Sequence, residues 1–442
     1  MYADDIIILS ETEEGLQSCL QELSQYTKRW GLEINLKKTK IMIFQTCGKR
    51  PKSVFYFNNQ IVQITQSYKY LGTIISETGS FKLNAQDTKK KGLRASFIIQ
   101  RNISLFSKPS TSINIFHKMV TPILTYNSEI SLAFIPKTWT MQKFKTEIWN
   151  VGNEANKVFI QFLRQILGVH KKTSTIALLS ETGQHPLSMK IYKAILKYWI
   201  RLHDTDNKLL KAAHKVNCQQ NDAKKQNWLR MARYLNEVTE SNVIPGDNPK
   251  QNNRILINML QNLNNLFQKW WLDQTKQKGK LDFYFSFKRN FKYEKYLDHV
   301  TRSERIHMTK LRTSSHCLPI ETLRYRKIKV ERKDRLCTLC NLKQVGDEYH
   351  YLLHCNNSEI VSVRDTFLNS IRVYYPDMRI FSDRNIIDYC LCLHDDRFLP
   401  NTMQFIKRLL LTYKTETEPP TPNTVSHTRS GREIKKPTKL DL

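Results

Sequence analysis

Asp4 and Asp5 stand side by side, directly before the apolar run Ile6-Ile7-Ile8-Leu9. Two carboxylates a few Å apart raise each other's pKa unless a cation holds both. A pair held at a strand edge by magnesium suits phosphoryl transfer, in which metal ions clamp the attacking and leaving oxygens. An isolated pair reads more simply as solvated acids at a chain end. A second group of chemistry-bearing residues lies far downstream, where Cys337, Cys340, His350 and Cys355 follow the spacing C-x2-C-x9-H-x4-C. Two thiolates two residues apart fit a knuckle, and a histidine with a third thiolate completes a tetrahedron for zinc. His354 competes with Cys355 for the fourth place, because His350 and His354 form an H-x3-H pair. The plainer alternative is buried cysteines and surface histidines without a metal.

The elements that must position the carboxylates form an ordered series. Ile6–Leu9 reads as a buried strand, and Ser10 with Glu13 has the spacing of a capping box. Leu16, Cys19, Leu20, Leu23, Tyr26 and Trp30 then recur at helical intervals until Gly31. A strand over 41–44 and a hairpin over 54–64, turning at Asn58-Asn59-Gln60, come next. Gly31-Leu32-Glu33-Ile34-Asn35-Leu36-Lys37-Lys38-Thr39-Lys40 lies between helix and strand, and Tyr68-Lys69-Tyr70-Leu71-Gly72 closes the series. Further on, Leu187, Ile191, Ala194, Ile195, Tyr198 and Leu202 mark a helix with one apolar face, the pattern of a bundle core.

Three of these segments carry a resemblance. The Tyr-Ala-Asp-Asp box at 2–5, the Gly-Leu-x-Ile-Asn box at 31–40 and the Tyr-Leu-Gly box at 70–72 resemble, in order and spacing, the end of the reverse transcriptase palm of non-LTR (LINE-type) retrotransposons. The likeness implies that Asp4 and Asp5 bind magnesium, and that Lys38 protonates the leaving pyrophosphate. It implies that Tyr70, Leu71 and Gly72 support the primer terminus. Each has a plainer reading, with Lys38 one more solvated cation among Lys37 and Lys40, and Tyr70 and Leu71 ordinary strand residues. Residues 121–130, 162–169, 181–187 and 198–202 look like the thumb of the same elements, although the family usually has Gly and Trp near Asn127 and Ser131. Residues 311–325 and the Cys-Cys-His-Cys group resemble the C-terminal part of those elements. That likeness favours Cys355 over His354 as the fourth zinc ligand.

Composition bounds the partner. The 442 residues carry a formal net charge of +30, spread along the chain rather than gathered in one tail. Such charge favours a polyanion. Lys89-Lys90-Lys91 and Arg324-Tyr325-Arg326-Lys327 are examples, and between Arg302 and Arg335 eleven Lys or Arg face four Asp or Glu. Lys89, Lys90, Lys91, Arg312, Arg324, Arg326 and Lys327 are therefore the candidate contacts to an RNA template and DNA primer, or to an RNA/DNA hybrid. Solvated lysine-rich faces are the alternative. Between 268 and 296, Trp270, Trp271, Phe283, Tyr284, Phe285 and Phe287 interleave with cations, which suits either base stacking or amphipathic packing. The segment 283–287 reads as strand or helix. No apolar stretch approaches the roughly 20 residues that span a bilayer, and no secretory signal is visible, so an intracellular protein, nuclear or cytoplasmic, is expected. Nine scattered or knuckle-spaced cysteines fit a reducing compartment.

These readings give an α+β chain. A palm end over 1–80 precedes a helical thumb over 81–215, a polar linker over 216–251, and a basic C-terminal domain over 252–413 with its zinc knuckle at 337–355. A disordered tail over 414–442 follows from its Thr, Pro and Lys content. By the resemblance, fingers and a further metal-binding carboxylate would precede Met1, which would be an internal methionine used as a start. The expected activity is that of a truncated RNA-directed DNA polymerase, inactive alone. The expectation of a different class is a module that binds RNA or a hybrid without chemistry. A palm without its inner strands would expose apolar surface and call for a partner.

Overall fold

The structure, a computed structural model, describes residues 4–45, 52–102, 108–133, 135, 138–149, 154–219, 228–241, 245–246, 248–277, 279–328, 330–393 and 395–417. It is mostly helical, with two short antiparallel hairpins, Tyr56–Phe57 with Gln60–Ile61 and Ser67–Tyr70 with Thr73–Ser76.

The N-terminal part is built on the helix Glu13–Trp30, which ends as expected at Gly31 in a left-handed conformation (φ 61°). Its start differs from expectation. Thr12, not Ser10, is the cap: its hydroxyl accepts the Gly15 N–H at 3.0 Å, and with Gly15 in the position that would reach back there is no side chain to close a box. Gln17 pins the first hairpin to this helix, donating to the Tyr56 carbonyl (2.8 Å) and accepting from the Tyr56 N–H (2.9 Å). That hairpin turns at Asn58 and Asn59, both at positive φ, the turn whose twist matches paired strands. Leu20, Ile41, Phe55, Phe57 and Val62 form a small core beneath it.

Two expected strands are not formed. Ile6–Leu9 pairs with no strand among the described residues and leaves Ile6, Ile7 and Leu9 exposed, because a strand persists only where its backbone groups find partners. The 41–44 segment is reduced to one parallel bridge between Ile41 and Ile64. Met1, and Tyr2 and Ala3 of the first box, lie outside the described residues.

A second, much larger core runs without a break from Ile99 to Tyr413. The helices Lys82–Asn102, Glu154–Leu167 and Leu187–Asp204 feed one end, and Arg302–Arg312 and Ser358–Tyr374 both pack on Leu399–Thr417 at the other. The helix Trp228–Val238, within the stretch expected to be a polar linker, buries Leu229, Met231, Ala232 and Leu235 in this core. Its apolar spacing was outweighed in the composition by polar neighbours on both sides. The last helix reaches Thr417, four residues into the expected tail, because Tyr413 is buried against the core. The rest of that tail lies outside the described residues. Residues 282–287 are helical, and Phe283, Tyr284, Phe285 and Phe287 all point inward, so this aromatic cluster is packing and not a stacking platform.

At the centre lies a buried charge cluster. Arg312, 1 % exposed, donates from Nε to Glu181 (2.5 Å) and from Nη1 to the Leu391 carbonyl (2.7 Å), and its guanidinium lies 4.4 Å from the Phe287 ring centroid. Lys288 pairs with Glu294, while Tyr284 and Tyr296 each donate to Glu181 at 2.9 Å. Burial would discharge Glu181, yet Arg312 and Lys288, together with the hydrogen bonds, hold it below the usual carboxylate range. Arg312 is therefore not a nucleic-acid contact: its fork is already spent on a carboxylate, away from solvent.

Gly183, two residues on, sits at φ 59°, and a Cβ there would stand 2.5 Å from the Tyr293 backbone nitrogen. Left-handed backbone alone costs an L-residue roughly 1–2 kcal/mol. The Gly183→Ala variant should lose at least that much in denaturant unfolding, because the opposing atom is main chain and cannot rotate away. A change under about 0.5 kcal/mol, ordinary for a surface site, would refute the close approach.

Candidate metal centre and nucleic-acid surface

Asp4 and Asp5 are both exposed, and among the described residues no third His, Cys, Asp or Glu joins them in a cluster. The residues present do not complete a magnesium site. Lys38 is exposed on a turn where Asn35 Oδ1 accepts the Lys37 and Lys38 N–H groups (3.1 and 3.2 Å). The Tyr68 hydroxyl donates to the Lys38 carbonyl at 3.2 Å, which ties this turn to the second hairpin. That hairpin places Tyr70 at a strand end, with Leu71 and Gly72 as its turn (φ 44° and 83°), so Leu71 is a turn residue and not strand core. The turn is held from the helical part of the chain, since the Tyr126 hydroxyl donates to the Leu71 carbonyl at 2.8 Å. Gly72 leaves room for that ring: a Cβ would come within 3.2 Å of Tyr126 Cε1.

The basic candidates divide. Lys89 pairs with Glu154 (2.6 Å) and Lys91 with Asp87 (2.5 Å), whereas Lys90 is exposed. Arg324 pairs with Glu321 (2.8 Å), and Arg326 and Lys327 are exposed.

Cys337, Cys340, His350 and Cys355 converge, with all four ligand atoms within 4.8 Å of one another. A short hairpin supplies the first two, closed by the Cys337 N–H to the Gln344 carbonyl and the Gly346 N–H to the Arg335 carbonyl (both 2.8 Å). Gly346 is needed there, because a Cβ would meet Pro319 at 2.9 Å and Cys337 Cα at 3.1 Å. A π-helical turn, His350–His354, carries His350 and ends at Cys355, and Asp347 accepts the His350 N–H at 3.0 Å. Cys355 is fully buried and His354 exposed, so Cys355 is the fourth member of the group.

The distances fit a tetrahedral ion. Metal–sulfur bonds of about 2.3 Å give sulfur–sulfur edges of about 3.8 Å. Cys337 and Cys355 sulfurs lie 4.0 Å apart, and Cys340 Sγ lies 3.4 Å from His350 Nε2. His350 Nδ1 donates to Gln344 Oε1 at 3.2 Å, which turns Nε2 toward the cysteine sulfurs, the arrangement by which outer partners orient a ligating histidine. Burial raises the Cys337 pKa, but the polar groups around it, the His350 ring, the Tyr351 hydroxyl and the Leu339 and Cys340 backbone amides, outweigh it and bring the thiol to about 6. Burial pushes Cys355 the other way, to about 12. Gln344, Asp347 and Gly346 carry no motif signal; only their place between the ligand pairs points to them.

An exposed carboxylate pair, a hairpin docked on a helical bundle and a Cys3His group make up the chain's chemistry. Residues 1–75 match the family of reverse transcriptases (RNA-dependent DNA polymerases), which contains Asp4, Asp5, Lys38 and the Tyr70–Gly72 turn. The chain is also similar to an uncharacterized transposon-derived protein of Caenorhabditis elegans, 26% identical over 149 residues, which are 33% of this chain and 50% of that protein. The chain thus spans half the length of that relative. The likeness to reverse transcriptases thus covers residues 1–75, and the likeness to a transposon-derived protein covers a third of the chain. Among the described residues no helix is long and apolar enough to cross a membrane.

Proposed function

We propose that this chain is the part of a non-LTR retrotransposon reverse transcriptase that runs from the Tyr-Ala-Asp-Asp box through the thumb to a zinc-bearing C-terminal domain, and that its own work is to hold an RNA template and its DNA primer. The observation that carries this reading is the hydrogen bond from Tyr126 to Leu71. It fastens the hairpin that the family resemblance assigns to the primer terminus onto the helical bundle assigned to the thumb. The net charge of +30 supports a polyanionic partner. Zinc held by Cys337, Cys340, His350 and Cys355 would cross-link the hairpin and the π-helical turn, a structural role. Asp4 and Asp5 would serve magnesium only together with a further carboxylate.

Primer extension tests this. The full chain, zinc-loaded and supplied with magnesium, nucleotides and an RNA template annealed to a DNA primer, should bind the duplex without extending it. The Asp4→Ala/Asp5→Ala variant should bind equally well. Extension by the wild type that the double variant loses would replace this reading with catalysis by the chain itself.

A further inference from the structure

Tyr325 is 42 % exposed and stands where three distant stretches of chain bring cations together. The Lys172 ammonium lies 3.9 Å from its ring centroid and that of Lys280 5.3 Å, with Lys280 also donating to the Tyr325 hydroxyl at 2.9 Å. Arg326 and Lys327 follow in the chain, and Lys171 precedes Lys172; all three are exposed. Among the described residues one carboxylate, Glu321, answers them, and it is already shared by Lys280 and Arg324 at 2.8 Å each. Lys171, Lys172, Arg326 and Lys327 have no carboxylate partner among the described residues.

The arrangement is fixed before any ligand arrives. Ser315 accepts the His170 N–H at 3.0 Å and the Thr173 hydroxyl at 2.8 Å, and Arg164 holds the Thr173 carbonyl at 3.1 Å, so the Lys171-Lys172 loop is fastened at both ends. Burial, and then Lys172, Lys171 and Lys280, hold His170 below the usual histidine range, a sign of the local positive field.

Resting on the reading above, we infer that this surface binds a single-stranded stretch of the RNA template, one base stacked on Tyr325 and the neighbouring phosphates taken by Lys171, Lys172, Arg326 and Lys327. The Lys172 ammonium over the ring is the one that would move to phosphate, which uncovers the ring face for the base. A stacking aromatic ringed by cations is the means by which unpaired strands are held without sequence readout. A duplex hides its base faces and would gain only the charge term.

Anisotropy of a labelled, unstructured twelve-nucleotide oligouridine RNA tests it on the full zinc-loaded chain. Tyr325→Ala should weaken binding about ten-fold or more, while Tyr325→Phe, which keeps the ring, should stay within about two-fold of wild type. Lys171→Glu/Lys172→Glu should weaken binding and flatten the dependence of log affinity on log salt by about 1.4, the share of two phosphates on a single strand. Template–primer duplex binding should hold within about two-fold for Tyr325→Ala, which also reports that the variant is folded. Wild-type affinity of Tyr325→Ala for the RNA, or an equal loss toward duplex, would overturn this site while leaving the proposed function in place. A wild-type chain that binds no nucleic acid would overturn the proposed function and this site with it.

Discussion

Stripping zinc from the chain with a strong chelator will lower its thermal unfolding midpoint by about 10 °C or more, and Cys340→Ser will do the same without chelator. The size follows from what the ion joins. Structural zinc binds small modules with roughly 10–16 kcal/mol of apparent free energy, comparable to the roughly 5–15 kcal/mol that hold a domain folded. The Cys337–Cys340 hairpin has no regular strand of its own, only an isolated bridge between Leu336 and Val345. Besides the Gln344–His350 and Asn341–Asn356 hydrogen bonds, its hold on the π-helical turn falls to the four ligands. His354→Ala should leave the midpoint within the range of ordinary surface changes, about 0.5 kcal/mol, because His354 is exposed and outside the group. Metal analysis should return one zinc per wild-type chain and less than a tenth of that for Cys340→Ser. A midpoint indifferent to chelation would refute the metal centre, and one that falls with His354→Ala but not with Cys355→Ser would exchange the fourth ligand.

Arg312→Met will destabilise the protein by about 3–5 kcal/mol, more than a surface charge removal can. Glu181 is wholly buried and accepts from Arg312, Tyr284 and Tyr296. Removing the cation leaves a carboxylate without its main counter-charge in a place water does not reach, and breaking a buried pair on one side costs about that much. Arg312→Lys should recover only part, since a single ammonium cannot reproduce the contacts of a guanidinium to both Glu181 and the Leu391 carbonyl. Arg312→Met/Glu181→Gln, which removes both charges, should be milder than the single change. The measurement is denaturant unfolding followed by circular dichroism. If Arg312→Met unfolds like wild type yet binds RNA more weakly, Arg312 is a phosphate contact and the buried assignment is wrong.

Arg312 also shows where the sequence stops informing. Its neighbours are basic, and nothing within reach along the chain offers a partner; Glu181 lies 131 residues away and meets it only after folding. The same holds for Lys172 and Tyr325, which the fold brings together from separate segments. The Cys3His group was legible because all four members fall within 19 residues, so spacing stands in for geometry. The turns at Asn58-Asn59 and Gly31 were legible because their residue types tolerate left-handed backbone. Ile6–Leu9 was misread because an apolar run reports a preference for burial but not whether neighbours exist to supply it. Trp228–Val238 was missed because its apolar stripe is short and flanked by polar residues, and the core that receives it is assembled from distant helices.

Whether this chain holds a template–primer is measured most directly as the affinity of the full zinc-loaded chain for an RNA/DNA hybrid with a single-stranded RNA overhang, across a range of salt. Binding should weaken steeply and linearly in log affinity against log salt, as several released counterions require, with equal affinity in the Asp4→Ala/Asp5→Ala variant. Absence of binding at low salt, or binding that salt does not change, would contradict the proposed function.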